Sequence, residues 1–314
     1  MKKIAILGHQ EVSKVLAESF CDQNVPVTII SLCPKKAGNI KEYINLESYC
    51  KKKCLNLHRV SDYSLNSQEC TTYFYQNSFD LVFVVGWSRL IPEAVLNVPN
   101  TKFIGWHGGP YAPPRCRGRA VVNWAILNNE TDFFVYTMLL KPGIDDGDII
   151  DVESMPISAN ETAQSLYIKC ALKLCEIMSS YFDSDFVFNA MEQSDKLATY
   201  LPKRSPNDGE VDWKLPARGI ERLVRALSFP FPPAWSILNG ETVLIKRARA
   251  LDYNCDSHFK SGFIYHVTET HELVVCTGSG FLLVEEYECT GSCHVDRGEL
   301  FEVTGTLINP TKLY

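Results

Sequence analysis

Four short, almost wholly apolar runs set the first limit on what this chain can fold into. They are Lys3 to Leu7 (KIAIL), Val25 to Leu32 (VPVTIISL), Phe79 to Gly86 (FDLVFVVG) and Thr101 to Trp106 (TKFIGW). Runs of this length and composition are buried strands rather than half-solvated ones. Gly8 turns the chain after the first, and Val12 to Phe20 then carries a helical apolar period, so the chain opens β-α-β. Pro26 is tolerable because it sits at a strand's start. Ile91 to Val98 reads as a short helix begun by Pro92. Strands alternating with helices imply an α/β class with a parallel sheet, ligands lying beyond the strands' carboxyl ends. The first turn has only Gly8 and no GxGxxG, so a dinucleotide cofactor is not supported. Ala163 to Phe182 is a long amphipathic helix expected to close the first domain.

From Ser194 to Asp212 the chain is polar and turn-rich, with Pro202, Pro206 and Gly209, and reads as a linker running over the first domain's surface. Beyond Trp213 a helix at Ile220 to Ala226 precedes short β-rich pieces at Val243 to Lys246, Gly262 to Val267, Leu273 to Cys276 and Phe281 to Glu285. These suggest a small β-barrel or sandwich. The expected division is 1–203 and 204–314. Hydrophobic residues make up 46% of the 314 and charged residues 22%, enough for a real core. The net charge of −6 argues mildly against a broad nucleic-acid-binding surface, though a local basic patch is compatible with it. No run approaches the ~18 apolar residues of a membrane helix, and cytoplasm is the expected location. The 12 cysteines are irregularly spaced without any CxxC pair. Only Cys289 and Cys293 with His294 come near a zinc pattern, so reduced thiols, no structural disulfide and no metal are expected.

Two stretches carry the chemistry. Gly105-Trp106-His107-Gly108-Gly109-Pro110 follows a buried strand, and Lys141-Pro142-Gly143-Ile144-Asp145-Asp146-Gly147-Asp148 is a glycine-bounded acidic loop. A His in a glycine-rich turn at a strand's carboxyl end is placed for acid–base work, and a carboxylate from a second loop would fix its tautomer. Taken singly, a lone His is more often structural, and GIDDGD serves equally as a turn or a cation loop.

These residues resemble the folate-dependent formyltransferases, whose hallmark is Asn-x-His, a proline turn and Arg-Gly, then an Asp in a Gly-Leu-Asp-Thr-Gly-Asp loop. Here Arg117-Gly118 follows His107, and Gly143 to Asp148 matches the loop with Asp145 in the catalytic slot. Asp80 to Pro92 is similar to the family's folate-side strand and loop, and Asp208 to Trp213 with Arg225-Ala226-Leu227 to the entry of its C-terminal domain. The resemblance implies a Rossmann-like parallel-sheet formyltransferase domain followed by a small β-rich, OB-like barrel. It further implies 10-formyltetrahydrofolate as co-substrate, without metal. Implied catalytic positions are His107, Asp145 and Gly105. The folate would lie against Gly86, Trp87, Ser88, Arg89, Leu90, Leu139, Leu140, Pro142, Gly143 and Ile144. The acceptor would meet Trp106, Gly108, Gly109, Arg115, Arg117 and Lys203.

The chain departs from the family twice. Gly105 stands in the slot of the catalytic Asn, and the loop Gly108 to Cys116 is longer than usual. An ungapped alignment puts His107 on the Asn and Gly109 on the His; the gapped one keeps His107 at the strand's end. In the family's mechanism the Asn and His donate to a developing oxyanion while the Asp orients the His. With Gly105 the donor becomes a loop N–H, the Trp106 indole or water. Arg117-Gly118-Arg119-Ala120 followed by Asn123-Trp124 is similar to the sugar-nucleotide enzymes of the family, so the expected acceptor is the primary amine of an amino sugar nucleotide. The alternatives are methionyl-tRNA, which makes tRNA the partner, and a catalytically impaired homologue that only binds folate or a sugar nucleotide. No membrane partner is expected, and a homodimer is allowed.

Overall fold

The structure is a computed structural model that describes residues 2–38, 40, 42–184, 186–253, 259–291 and 295–302. In chain order the elements are β1 (Ile4–Leu7), α1 (Glu11–Asp22), β2 (Val27–Leu32), α2 (Pro34–Ala37), α3 (Glu47–Lys53), β3 (Asn56–Val60) and α4 (Gln68–Asn77). Next come β4 (Leu81–Val84), α5 (Glu93–Leu96), β5 (Lys102–Gly109), β6 (Arg117–Gly118), α6 (Val121–Leu127), β7 (Asp132–Leu139), β8 (Asp148–Pro156), α7 (Ala163–Ser180) and β9 (Tyr200–Leu201). The last are α8 (Ala217–Ala226), β10 (Ala234–Leu238), β11 (Glu241–Leu251), β12 (Ile264–Val267), β13 (Leu273–Cys276) and β14 (Phe281–Cys289).

The described residues form two compact units. The first takes Met1–Val121, Thr131–Pro156 and Tyr167–Pro202; the second takes Val122–Glu130, Ile157–Leu166 and Lys203–Tyr314. The first is built on a seven-stranded sheet of order β3-β2-β1-β4-β5-β7-β8. Its first five strands in that order are parallel, and β7 and β8 run antiparallel. The apolar runs behave as expected: β1 and β4 are buried at every position. The strand order reverses between β1 and β4, which opens a crevice beyond their carboxyl ends.

One sequence expectation is corrected here. The fourth apolar run does not give way to a turn at Trp106. Strand β5 continues to Gly109, because β7 pairs with it from Ile104 to Gly109 after β4 has stopped at Gly105. His107 therefore lies inside a strand that projects past the carboxyl ends of its parallel neighbours. Apolar content did not reveal this extension, because two antiparallel backbones supply the hydrogen bonds and glycine positions need no side-chain burial.

The second unit is a five-stranded antiparallel sheet, β10-β11-β14-β13-β12, packed against α8. Ile220, Leu223 and Val224 of α8 join Trp213, Ile245, Val275 and Val284 in its core. The Trp213 indole donates to Ser236 Oγ at 2.9 Å, which satisfies the one polar atom of the largest buried side chain. Residues 299–302 bond both edge strands: Glu302 N–H donates to the Ile237 carbonyl at 2.8 Å, and the Glu299 carbonyl accepts from Ile264 N–H at 2.9 Å. The sheet thereby closes in the manner of a small barrel. Within this unit Asn123 donates to the Ala226 carbonyl at 2.6 Å and Arg225 to the Glu161 carbonyl at 2.6 Å, tying two early segments to α8.

Cys21, Cys33, Cys50, Cys54, Cys70, Cys116, Cys170, Cys175 and Cys276 are free thiols. Cys289 is disulfide-bonded, which corrects the expectation of a chain without disulfides. Cys293 and His294, the rest of the suspected cluster, lie outside the described residues. Among the described residues no group of three His, Cys, Asp or Glu is placed to hold a metal, and no helix is long and apolar enough to cross a membrane.

Candidate active site

Strand pleating puts Gly105, His107 and Gly109 on one face of β5 and Trp106 and Gly108 on the other. His107 meets the acidic loop there: its Nδ1 lies 3.7 Å from Asp145 Oδ2, an ion-pair distance longer than a hydrogen bond. Its Nε2 lies 2.9 Å from the Cys116 carbonyl. A carbonyl only accepts, so Nε2 carries the hydrogen and a neutral ring turns its Nδ1 lone pair towards the carboxylate. The protonated ring satisfies both partners. Asp145 Oδ2 also accepts from the Gly118 N–H at 2.9 Å. Asp145 itself has φ +48, the left-handed region that a non-glycine residue holds only when its surroundings enforce it.

The glycines on this face are explained by crowding. A Cβ at Gly105 would sit 2.4 Å from Leu140 Cδ2 and 3.0 Å from its Cγ, and one at Gly109 would sit 2.8 Å from Cys116 Cβ. Neither position has room for the Asn or His of the resembled family, whichever alignment is chosen. Gly105→Asn is therefore expected to overpack against Leu140 and lower the unfolding free energy by about 1–3 kcal/mol. Urea unfolding of the variant checks this; unchanged stability would mean that Leu140 swings aside freely.

The loop after β4 divides by residue. Gly86 adopts φ +75 and is pressed against Gln10 and Ser13, which requires glycine. Trp87 is part of the core, its ring 5.0 Å from His9 and 4.9 Å from Tyr63. Ser88 and Arg89 are exposed, and so is Leu90. In the second loop Leu139 and Leu140 end β7 half-buried, Pro142 is exposed, and Gly143 lies under the Asp146 carboxylate. Leu90 and Ile144 are about half exposed, at 55% and 49%. Asp146 Oδ1 is buried without a partner.

The candidates for the acceptor are scattered. Arg117 is buried, and its guanidinium is spent on Asp195 at 2.9 Å, Tyr200 at 3.2 Å and Gln193 at 3.2 Å. Trp106 and Gly108 face away from His107, Gly108 against the Phe133 ring. Arg115 is exposed and lies over Tyr111, its guanidinium 4.8 Å from the ring. Lys203 belongs to the second unit and is exposed.

Three further residues of this region gave no pattern in the sequence. Tyr136, opposite His107 in the β5–β7 register, packs edge-on against its ring at 5.7 Å and has a buried hydroxyl without a partner. Burial and the nearby Asp145 charge hold that phenol well above its ordinary pKa. Gln193, just before the expected linker, bonds the acidic loop. His9 follows β1 at the strand-order reversal, wholly buried among Tyr43, Tyr63 and Trp87. Burial lowers its pKa to about 4. A lone His, Gln or Tyr has no spacing partner, so only the fold reveals these positions.

Residues 2–180 match the formyl transferase family model and residues 203–302 the formyl transferase C-terminal domain. A methionyl-tRNA formyltransferase of Agathobacter rectalis is 29% identical over 286 residues, covering 85% of this chain and 88% of that protein. Seven further relatives of that name are 29–33% identical over 68–74% of this chain. Among solved structures, HypX from Aquifex aeolicus in complex with tetrahydrofolic acid has a TM-score of 0.66 at 18% identity, over 90% of this chain. This chain spans 43% of the HypX chain. WlaRD, a sugar 3N-formyl transferase solved with dTDP and 5-N-formyl-THF, has a TM-score of 0.61 at 17% identity, over 93% of this chain and 99% of its own. At such identities the two structures share the fold alone.

These relatives overturn the amino sugar nucleotide as expected acceptor. The sugar enzyme is a fold neighbour at 17% identity, whereas the relatives at 29–33% carry the methionyl-tRNA name. The motif that suggested a sugar is also largely architectural: Arg117 braces Asp195 and Tyr200, and Asn123 holds the Ala226 carbonyl. Trp124 lies under the Arg204 guanidinium at 4.9 Å.

Proposed function

Because this chain belongs to the formyl transferase family, a group of folate-dependent one-carbon transferases, we propose that it transfers the formyl group of 10-formyltetrahydrofolate to the amino group of methionyl-tRNA. The observation that carries this reading is the set of methionyl-tRNA formyltransferase relatives, one of them aligned over 85% of the chain.

The residues at the crevice fit a folate. Leu90 and Ile144 offer exposed apolar surface to a planar ring. Backbone groups of Gly86 to Leu90 and of Leu139 to Asp145 would hold the pteridine. The bound co-substrate supplies a formyl carbon activated on nitrogen. The chain's own part is to hold His107 beside it with a proton on Nε2, and Asp145 to set the ring's orientation. Transfer requires Nε2–H to exchange the Cys116 carbonyl for the developing oxyanion of the formyl group, with Asp145 holding the ring in that orientation. Trp106 is excluded as the substitute donor for the missing Asn, since it lies on the opposite face of β5. The Tyr136 hydroxyl stays beside the pair in a dry environment.

Incubation of purified protein with 10-formyltetrahydrofolate and methionyl-tRNA is expected to give acid-stable formylmethionyl-tRNA in amounts that rise with enzyme. No formylation above an enzyme-free control, with a bacterial methionyl-tRNA formyltransferase active in parallel, would reject the acceptor assignment.

A further inference from the structure

Residues 191–201, which lead into and include the first part of the expected linker, are bonded at intervals to β8, to the acidic loop and to residues 116–118. Met191 and Ile149 exchange two backbone hydrogen bonds of 2.8 Å. Thr199 accepts from the Arg117 N–H at 2.9 Å through its carbonyl and from the Cys116 N–H at 3.0 Å through Oγ1. β9 then pairs with β6 in parallel. Between these anchors lies Gln193. Its carboxamide N–H groups donate to the carbonyls of Asp145 at 2.9 Å and Gly147 at 2.7 Å, and its Oε1 accepts from Arg117 at 3.2 Å. A primary amide has two N–H donors and an acceptor oxygen, and here every donor is used and the oxygen is engaged.

We propose that Gln193 is a positioning residue for the catalytic loop, acting through Asp145. The inference rests on the formyl-transfer reading of this site. The carbonyl that Gln193 grips belongs to the residue with φ +48, whose carboxylate is aimed at the Gly118 N–H and at His107. A left-handed residue other than glycine costs backbone energy, least for Asn and Asp, and contacts that hold its peptide keep it there. The side-chain amide holds it from the carbonyl side, and the Gly118 N–H holds it from the carboxylate side. Arg117, immovable in the interior and paired with Asp195 and Tyr200, orients the amide so that its nitrogen and not its oxygen faces the loop. Composition cannot show this, because the bonds run from one side chain to backbone carbonyls far away in sequence.

Two variants test it. Gln193→Met keeps the volume and removes all three bonds; Gln193→Glu keeps the Arg117 contact and removes both donors. With 10-formyltetrahydrofolate and methionyl-tRNA, each is expected to lower kcat by about 10- to 100-fold, the range for a misplaced catalytic group. In an Asp145→Asn background the same changes are expected to cost no more than about twofold, since Gln193 acts through that carboxylate. Amide hydrogen exchange at Gly118, read on the free protein, is expected to accelerate at least about tenfold while β1 amides keep their protection. Full kcat in both variants, a loss that is additive with Asp145→Asn, or unchanged Gly118 exchange would overturn the proposal. The exchange measurement needs no acceptor, so it still decides the role of Gln193 if methionyl-tRNA proves not to be the substrate.

Discussion

His107→Asn and Asp145→Asn each lower formyl transfer to methionyl-tRNA by about 100- to 1,000-fold, the loss expected when a preorganised donor is removed or misdirected. The geometry gives each variant its own reason. At 107 an amide is too short to reach both the Cys116 carbonyl, now 2.9 Å from Nε2, and the neighbourhood of Asp145. At 145 an amide whose oxygen still accepts from Gly118 has lost the negative charge beside His107, and with it the electrostatic hold on the ring's orientation. Stopped-flow or quench measurement at saturating folate checks both, with folate affinity followed separately. Near wild-type turnover in His107→Asn would show that the position serves as the family's Asn slot. The ungapped alignment would then hold, with Gly109 in the place of the family's His.

The second large effect concerns His9 and stability. Burial lowers its pKa from 6.5 to about 4, so the unfolded chain binds a proton over a range of pH in which the folded chain does not. Stability from this group is complete above pH 6.5 and is lost as pH falls towards 4. The difference corresponds to about 3 kcal/mol. The rings packed on His9 are those of Tyr43, Tyr63 and Trp87. Both of its nitrogens are buried without a partner. Glu42 nearby has a pKa raised by burial and works in the opposite sense, its cost at neutral pH being relieved on acidification. His9→Phe isolates the histidine: urea unfolding from about pH 7 to about pH 4 should lose markedly less stability in the variant than in the wild type. Parallel pH dependence of the two proteins would sink the assignment.

The central strands β1, β2 and β4 of the first unit were legible because they are buried almost throughout, whereas the more exposed β3 and β8 were not. KIAIL, VTIISL and LVFV have no other stable location in water, and Pro92 stands at the start of α5 as the sequence suggests. Of the second unit's strands, β12 and β13 were recognised, β10 was missed, and β11 and β14 were cut short. β11 runs from Glu241 to Leu251 and β14 from Phe281 to Cys289, since Lys246, Arg247 and Arg249 alternate with buried positions and pair across the strands with Glu285 and Glu288. Such charged alternation reads as loop when no partner strand is in view.

For the site the division is sharper. The residues themselves determined the chemistry on offer: a His near the end of an apolar strand, an Asp in a glycine-bounded loop, and a pattern specific enough to place the chain in its family. The sequence also marked Gly105 as a departure, but not its cause, which is the Leu140 side chain 2.4 Å from where a Cβ would lie. Only the tertiary structure decided which face of β5 each residue takes, because that depends on how far β7 carries the pairing beyond β4. Only the tertiary structure made Arg117 a brace and Gln193 a clamp. Their partners lie 46 to 83 positions away and are largely backbone carbonyls and single side chains. A backbone carbonyl is the same at every residue, so nothing in the sequence distinguishes the ones that will be gripped. Chain folding alone brings them within reach.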